Sequence, residues 1–450
     1  MGGNWDGAAA TAGGADGEDI GVGRIVLASL VGTTIEFYDF YIYGTAAALV
    51  IGQTFFPQSA PGTQALNAFL TFGIAFLARP VGSLLFGHFG DRIGRKATLV
   101  ATMLTMGLST TLIGVLPGYV QAGVLAPWLL CLLRFGQGVG LGGEWGGAAL
   151  LATENAPHGR RAWFGMFPQL GPPLGFILAN GLFLVLIMGL GEANFVAWAW
   201  RVPFLASAAL VAIGLYVRAT IAETPAFRAV LARHERLEVP LVEVLRSHWR
   251  PLIQGSLAIV VCYALFYVSS VFALGYGVNA LHISRTDFLA MLCLAAAFMA
   301  LATPLSAALA DRWGRRPVLL AASALAMLVG FALPSLLGAG ALGALAFLSL
   351  ALGVMGLTFA PLGALLPELF PARVRYTGAS SAYNLGGILG ASLAPYLAQL
   401  LLERGGLSWV GYYIVAAAAI SFLALLSIEE TGGPGAARWG AATADADKSS

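Results

Sequence analysis

Apolar runs, each about the ~20 residues that cross the hydrocarbon of a bilayer, follow one another along almost the whole chain, with short polar turns between them. Twelve are counted, near 25 to 51, 66 to 86, 97 to 116, 123 to 152, 162 to 190, 198 to 222, 251 to 278, 287 to 310, 317 to 337, 341 to 366, 376 to 402 and 408 to 428. Hydrophobic residues at 58% against 10% charged exclude a soluble domain. The 58 glycines, damaging in a water-soluble helical protein, suit membrane helices that approach one another closely. The expected fold is an all-α membrane protein of twelve transmembrane helices.

The chain is also written twice. GHFGDRIGRK at Gly87 to Lys96 returns as ALADRWGRRP at Ala308 to Pro317, placing one Asp-Arg-x-Gly-Arg cluster at Asp91 and another at Asp311, 220 residues apart. Glu154, Pro157 and Arg161 return as Glu368, Pro371 and Arg375 with the same internal spacing, 214 residues on. The expected units are an N-terminal six-helix half at 24–222 and a C-terminal six-helix half at 251–428. A mixed-charge, amphipathic linker at 223–250 joins them, and Gly/Ala-rich tails at 1–23 and 429–450 read as disordered, the first lacking the apolar core of a signal peptide. A duplicated bundle can open to either side by rocking its halves about a site at their interface, which is the architecture of a carrier.

Of the 24 Lys and Arg residues, Arg79 and Arg134 fall within spans and Arg201, Arg285 and Arg404 on the side reached after the first span. The other 19 share the side of the termini, which the positive-inside rule makes cytoplasmic. An inner (plasma) membrane protein with both termini in the cytoplasm is the expectation. Cys131, Cys262 and Cys293 sit in apolar runs without metal-ligand spacing, so neither a disulfide nor a metal site is expected.

With both half-motifs on turns of one side, the chain resembles the major facilitator superfamily, whose signature G-x-x-x-D-R-x-G-R-K/R is met by Gly87, Asp91, Arg92, Gly94, Arg95 and Lys96. The second copy has Ala307 in place of the first glycine, followed by Asp311, Arg312, Gly314 and Arg315. TTIEFYDFYIYG, FLARPVGSLLFGHFGDR, RFGQGVGLGGEWGGA, WRVPF with ETPAF, and PELFPARVRYTG are together similar to the metabolite:proton symporter family, over about residues 24 to 428. That family includes permeases for shikimate, 2-oxoglutarate, citrate and proline/betaine. The resemblance implies alternating access, proton coupling and a cytoplasmic gate in which the motif's acidic residue, here Asp91, latches the opposite half. Glu154, Asp311 and Glu368 join that gate, with Arg95 expected to brace Glu154 and Arg315 or Arg316 to brace Glu368, and Glu144 is either a further gate partner or a second proton stop.

Charges inside spans cost roughly 2.5–3.5 kcal/mol each even on a lenient scale, so they mark function or a fixed ion-pair network. Glu36 and Asp39 share a face of span one near mid-depth, with Tyr43 one turn further. Arg134 on span four, with Gln137 beside it, and Arg79 on span two complete a set that is neutral when all four charges are ionised. Glu36 and Asp39 are the expected proton carriers. Arg134 and Arg79 are the expected carboxylate anchors, because protonating one acid frees an arginine fork. Gln169 and Asn180, eleven apart on span five, project to one side and line a cavity, while Tyr43, Gln137, Tyr383 and Asn384 supply neutral substrate contacts. Gly138, Gly142 and Gly146 form a packing groove on span four, and Pro172 and Pro173 bend span five.

No P-loop, GxSxG, HExxH or metal cluster is present, so an enzyme or ATP-driven pump has no residues to run on, and no cofactor or nucleic-acid partner is expected. The expected function is proton-coupled symport of a small carboxylate-bearing metabolite, shikimate- or dicarboxylate-like, by a monomer. A proline/betaine-type osmolyte symporter is the alternative within transport, and a transporter-like membrane sensor the alternative outside it.

Overall fold

The computed structural model describes residues 22–93, 95–142, 149–150, 152–153, 156–157, 159–220, 240–371 and 374–432. Among them every regular element is helical. A backbone in lipid has no water for its N–H and C=O groups, and a helix satisfies them within one segment. Among the described residues eight helices are long and apolar enough to cross a bilayer by themselves, and the last of these, Arg375–Leu426, is 52 residues. At ~1.5 Å per residue that is more than twice the hydrocarbon thickness. It is broken at Gly406, whose φ of +72° no helix accepts. The break makes two spans of one, and Val22–Ala46 with the shorter apolar helices Val100–Val115 and Leu125–Leu141 complete twelve.

In the first half these are α1 (Val22–Ala46), α2 (Pro61–Ile93), α3 (Arg95–Val115), α4 (Leu125–Leu141), α5 (Arg161–Leu190) and α6 (Val202–Thr220). The second half has α7 (Trp249–Asn279), α8 (Arg285–Trp313), α9 (Arg315–Leu337), α10 (Gly340–Glu368), α11 (residues 375–405) and α12 (residues 407–426). A short helix, Pro240–Ser247, precedes α7.

Packing repeats with the sequence. In the first half α1 lies on α5, α2 on α4 and α3 on α6; in the second α7 lies on α11, α8 on α10 and α9 on α12. Between the halves α5 lies on α8 and α10, and α2 on α11. Helix breaks repeat as well. α1 runs through a π-helical turn, Ala47–Ile51, into Gly52–Phe55, and α7 has the same turn at Val268–Phe272, at the matching place in the repeat. α5 has Pro172 and Pro173 inside it where α11 has a π turn at Ile388–Ser392. A π turn and a proline both leave the hydrogen-bond ladder locally open.

The halves touch at both ends. On the face of the termini, Asp311 at the end of α8 accepts hydrogen bonds from the backbone N–H of Ala162 (3.0 Å) and Trp163 (2.9 Å) at the start of α5. On the opposite, distal face, Arg285 at the start of α8 pairs with Glu192 beyond α5. The π turns of α1 and α7 also meet there. Among the described residues the halves are thus in contact at both faces.

Candidate functional site

The buried charges of α1, α2 and α4 come together at mid-depth. Glu36, Asp39, Arg79 and Arg134 are each at most 2% exposed, inside a protein whose outer surface is Leu, Val, Phe and Trp. The two arginines are held by rings and carbonyls. No carboxylate stands within 4.0 Å of Arg79 or Arg134 among the described residues.

Arg134 is held by the first half alone. Its Nη1 donates to Gln137 Oε1 (2.5 Å), Nη2 to the Phe72 carbonyl (3.0 Å) and Nε to the Thr71 carbonyl (3.4 Å). The Tyr43 ring covers the guanidinium at 3.8 Å, and the Tyr43 hydroxyl is 2.5 Å from Thr71 Oγ1. Gln137 then donates to Thr110 Oγ1 of α3 (2.6 Å) and towards the Asp39 carbonyl (3.5 Å). Tyr43 and Gln137 are therefore where their spacing puts them, but they wrap Arg134 rather than face open space. Arg79 lies over the rings of Phe76 (4.1 Å) and Phe40 (4.8 Å). A guanidinium is planar and weakly hydrated, so ring faces and carbonyls hold it without a counter-charge.

Asp39 turns away from both arginines. The Ser207 hydroxyl of α6 donates to its Oδ1, and its Oδ2 is buried with no hydrogen-bond partner among the described residues. Glu36, one turn earlier, is electrostatically coupled to Asp39 and to Tyr383 of the other half. Asp39 is thus held within the first half, while the charge of Glu36 is felt by Asp39 and, across the interface, by Tyr383.

Aromatic rings fill the meeting of the halves. Phe40, Phe72 and Phe76 from the first half pack edge-on or tilted with Tyr263 and Tyr267 of α7, and Tyr383 of α11 sits 5.6 Å from Tyr263. Asn384 donates to the Gly142 carbonyl (3.1 Å) and Ser392 to the Gly73 carbonyl (3.2 Å), tying α11 to α4 and α2. Gln169 donates to the Phe359 carbonyl of α10 (3.2 Å), whereas Asn180 accepts from Thr45 of α1 (2.9 Å). The expectation that Gln169 and Asn180 line one cavity is corrected: they serve different neighbours, one across the interface and one within the half. Two prolines stand between them in α5.

At the terminal face Arg315 reaches both Asp311 (3.3 Å) and Glu368 (3.4 Å), as the expected brace requires. Arg316 instead donates to the carbonyls of Leu425 and Leu426. Gly314, at φ +107°, makes the turn that ends α8, and Arg312 belongs to its last turn. The backbone at Gly87, Asp91, Arg92 and Arg95 is helical; their side chains, and Gly94, Glu144, Gly146 and Glu154 entirely, lie outside the described residues. The groove on α4 is present: a Cβ on Gly138 would strike the Ala75 carbonyl, and one on Gly142 the Arg79 carbonyl.

Sequence reasoning missed Ser207, Thr71, Thr110, Phe40 and Phe76. A lone Ser or Thr in an apolar run carries no spacing signal. The rings of Phe40 and Phe76 share no pattern beyond standing one residue after Asp39 and three before Arg79.

Comparisons with known proteins agree with this architecture. The family described as "Sugar (and other) transporter" matches residues 25–242, and "Major Facilitator Superfamily" matches 269–447. The inner membrane metabolite transport protein YhjE of Escherichia coli is 51% identical over 414 residues, covering 91% of this chain and 94% of that protein. The shikimate transporter of E. coli is 36% identical, covering 91% and 94%, and the proline/betaine transporter of Salmonella typhimurium 33%, covering 91% and 83%. Among solved structures, the proton:xylose symporter XylE superposes with a TM-score of 0.71 at 17% identity, covering 92% of this chain and 97% of that one.

Proposed function

Because the chain belongs to the major facilitator superfamily of transporters, we propose that it is a secondary active carrier moving a small carboxylate-bearing metabolite together with protons. One observation carries this reading: two acids of α1 and two arginines of α2 and α4 are buried at mid-depth, beside the surface on which the halves rock. Groups so expensive to bury serve a proton or a charged cargo.

Asp39 is the proposed proton site. Its unserved Oδ2 is an atom on which a proton can sit, and Ser207 holds the other oxygen in place. Glu36 is the proposed relay, since its field reaches both Asp39 and the phenol of Tyr383 across the interface. A buried guanidinium takes the cargo's carboxylate as a bidentate fork. Contacts at both faces support alternating access: parting Asp311 from α5 opens the terminal face, and parting Arg285 from Glu192 opens the distal face. The excess of Arg and Lys on the terminal face supports cytoplasmic termini in an inner membrane. The α1 to α6 and α7 to α12 bundles act as the two moving units.

One feature favours an osmolyte instead. The rings of Phe40, Phe76, Tyr263 and Tyr267 are the surroundings a quaternary ammonium prefers. Arg79 lies among the same rings and repels a cation, so the acid reading is preferred.

The test is uptake into proteoliposomes under an imposed pH gradient, screened over labelled organic acids and betaines, with Asp39→Asn beside the wild type. Accumulation of an acid that collapses with a protonophore is expected. In Asp39→Asn, accumulation is expected to disappear while exchange of cargo for cargo persists. Unaltered gradient-driven uptake in that variant removes Asp39 from the proton path.

A further inference from the structure

Arg79 and Arg134 are equally buried but differently served. Every nitrogen of Arg134 faces an acceptor of the first half, and Tyr43 closes its ring side. Arg79 makes no hydrogen bond or ion pair to a described residue, and its Nε is buried without a partner at 2% exposure of the residue. Rings offer a cation a π face but no lone pair for its N–H groups, so the donors of Arg79 remain to be used.

The two arginines also look at different parts of the molecule. The hydrogen-bond acceptors of Arg134 and the rings over it all come from α1, α2 and α4, and of the other half only the Tyr267 phenol lies in its field. The phenols of Tyr263, Tyr267 and Tyr383, from α7 and α11 of the other half, lie in the field of Arg79. The Arg79 backbone is fixed by the close approach of Gly142, whose own carbonyl is bound by Asn384 of α11. A cargo seated at Arg79 is therefore within reach of both halves, with three phenols of the second half beside its charge against one for Arg134.

We propose that Arg79 is the anchor for the cargo's carboxylate, that Arg134 is a brace of the first half, and that the site takes a single carboxylate carried on a flat ring. This deepens the carrier reading above and rests on it. The charge count sets the single carboxylate. Apart from Arg79 and Arg134, the one buried cation among the described residues is Arg315, held at the terminal face by Asp311 and Glu368. A second ionised carboxylate at mid-depth meets phenols, rings and the two acids of α1, while the nitrogens of Arg134 are already engaged, so its desolvation is offset by no free guanidinium. The ring follows from the walls. Phe76 of the first half meets Tyr267 (5.5 Å) and Tyr263 (6.2 Å) of the second edge-on, with Phe40 (5.1 Å) behind it, and these faces, closed on one another here, become available to a planar body when the halves part.

The test is ligand binding to the purified full-length protein by thermal shift and by displacement of labelled benzoate. Benzoate and shikimate are compared with succinate, citrate and glycine betaine, and benzamide serves as the neutral isostere of benzoate. The wild type is expected to prefer benzoate to benzamide and to bind succinate and citrate more weakly than either ring acid. In Arg79→Gln the preference for benzoate over benzamide is expected to fall by roughly 10–100-fold, the value of a charge-assisted hydrogen bond. In Arg134→Gln that ratio is expected to persist while the melting temperature drops. Where Arg79→Gln does not fold, Arg79→Lys, which keeps the charge and loses the fork, is expected to weaken benzoate by about 10-fold. A ratio unchanged in the Arg79 variants, a ratio lost in Arg134→Gln, or citrate binding as tightly as benzoate overturns the assignment while leaving acid transport standing. Absence of binding by every carboxylate overturns the carrier reading itself and this assignment with it.

Discussion

Gly142 of α4 lies against the carbonyl of Arg79 in α2, and Gly356 of α10 lies against the carbonyl of Met299 in α8. The offset of 220 that relates Asp91 to Asp311 carries Arg79 onto Met299, and the offset of 214 that relates Glu154 to Glu368 carries Gly142 onto Gly356. One backbone contact is thus present in both halves, with a guanidinium on it in the first and a thioether in the second. The same holds along the first helices of each half, which share a π turn, while α1 carries Glu36 and Asp39 and α7 carries Tyr263 and Tyr267 in an otherwise apolar stretch. Packing at a glycine is set by how near two backbones come, and little else fits there. The side chain beside it is free to change. A frame kept for packing can hold charge in one copy and rings in the other.

If the frame is common, damage to it is common too, and this is the largest effect expected. Gly142→Leu and Gly356→Leu each place a side chain where a neighbouring helix's carbonyl stands. Overpacking a tight interior costs about 1–3 kcal/mol, and more when the obstacle is backbone, which cannot rotate away. Both variants are expected to lose the monodisperse folded peak on size-exclusion chromatography in mild detergent. If Gly356→Leu folds and Gly142→Leu does not, the two contacts are unequal and the second half tolerates a looser frame.

How much of this could be read from the chain follows from the same distinction. The spans and the duplication were legible because both are written locally, in runs of apolar residues and in motifs of about ten. Arg134 with Gln137 was legible for the same reason, since residues three apart share a helix face. Asp39 with Ser207 was not: the partners are 168 residues apart, and one serine in the apolar run of α6 has no distinguishing neighbour. Where the two arginines would find their partners was not legible either. Charge neutrality says that opposite charges are present in equal number, but rings and carbonyls can hold a guanidinium equally well, and which of them arrives is decided by helix packing. The span bounds shifted for a simpler reason: α2 extends beyond the apolar core of 66 to 86 to cover Pro61–Ile93, because a helix continues past the hydrocarbon wherever nothing stops it.

The faces of the molecule sharpen the contrast further. At the terminal face, Asp311 of the second half receives two backbone N–H groups at the N-terminus of α5 in the first, where the helix dipole also favours a carboxylate. Hydrogen bonds to a charged group are worth about 1.5–3 kcal/mol, so Asp311→Ala is expected to raise opening of this face by roughly 10-fold or more. A cysteine at Met166, buried between the halves with Ala307 and Ala360, reports it. With Cys131, Cys262 and Cys293 replaced, alkylation of Met166→Cys is expected to quicken by that factor in Asp311→Ala. An unchanged rate means that the matching motif around Asp91 closes this face without Asp311.

The distal face is held differently, and its removal is the smallest effect expected. Arg285 is nearly enclosed, with 14% of its side chain exposed, but Glu192 is 59% exposed. Exposed ion pairs contribute about 0.2–1 kcal/mol, because water and salt already serve both charges. Glu192→Gln is therefore expected to quicken alkylation of a cysteine at Ala47, in the buried π turn of α1, by roughly 1.4–5-fold. High salt is expected to have the same effect on the wild type and none on the variant. A 10-fold rise instead would make the distal pair the equal of the Asp311 clasp. The two closures would then be matched, and the structure would favour neither opening.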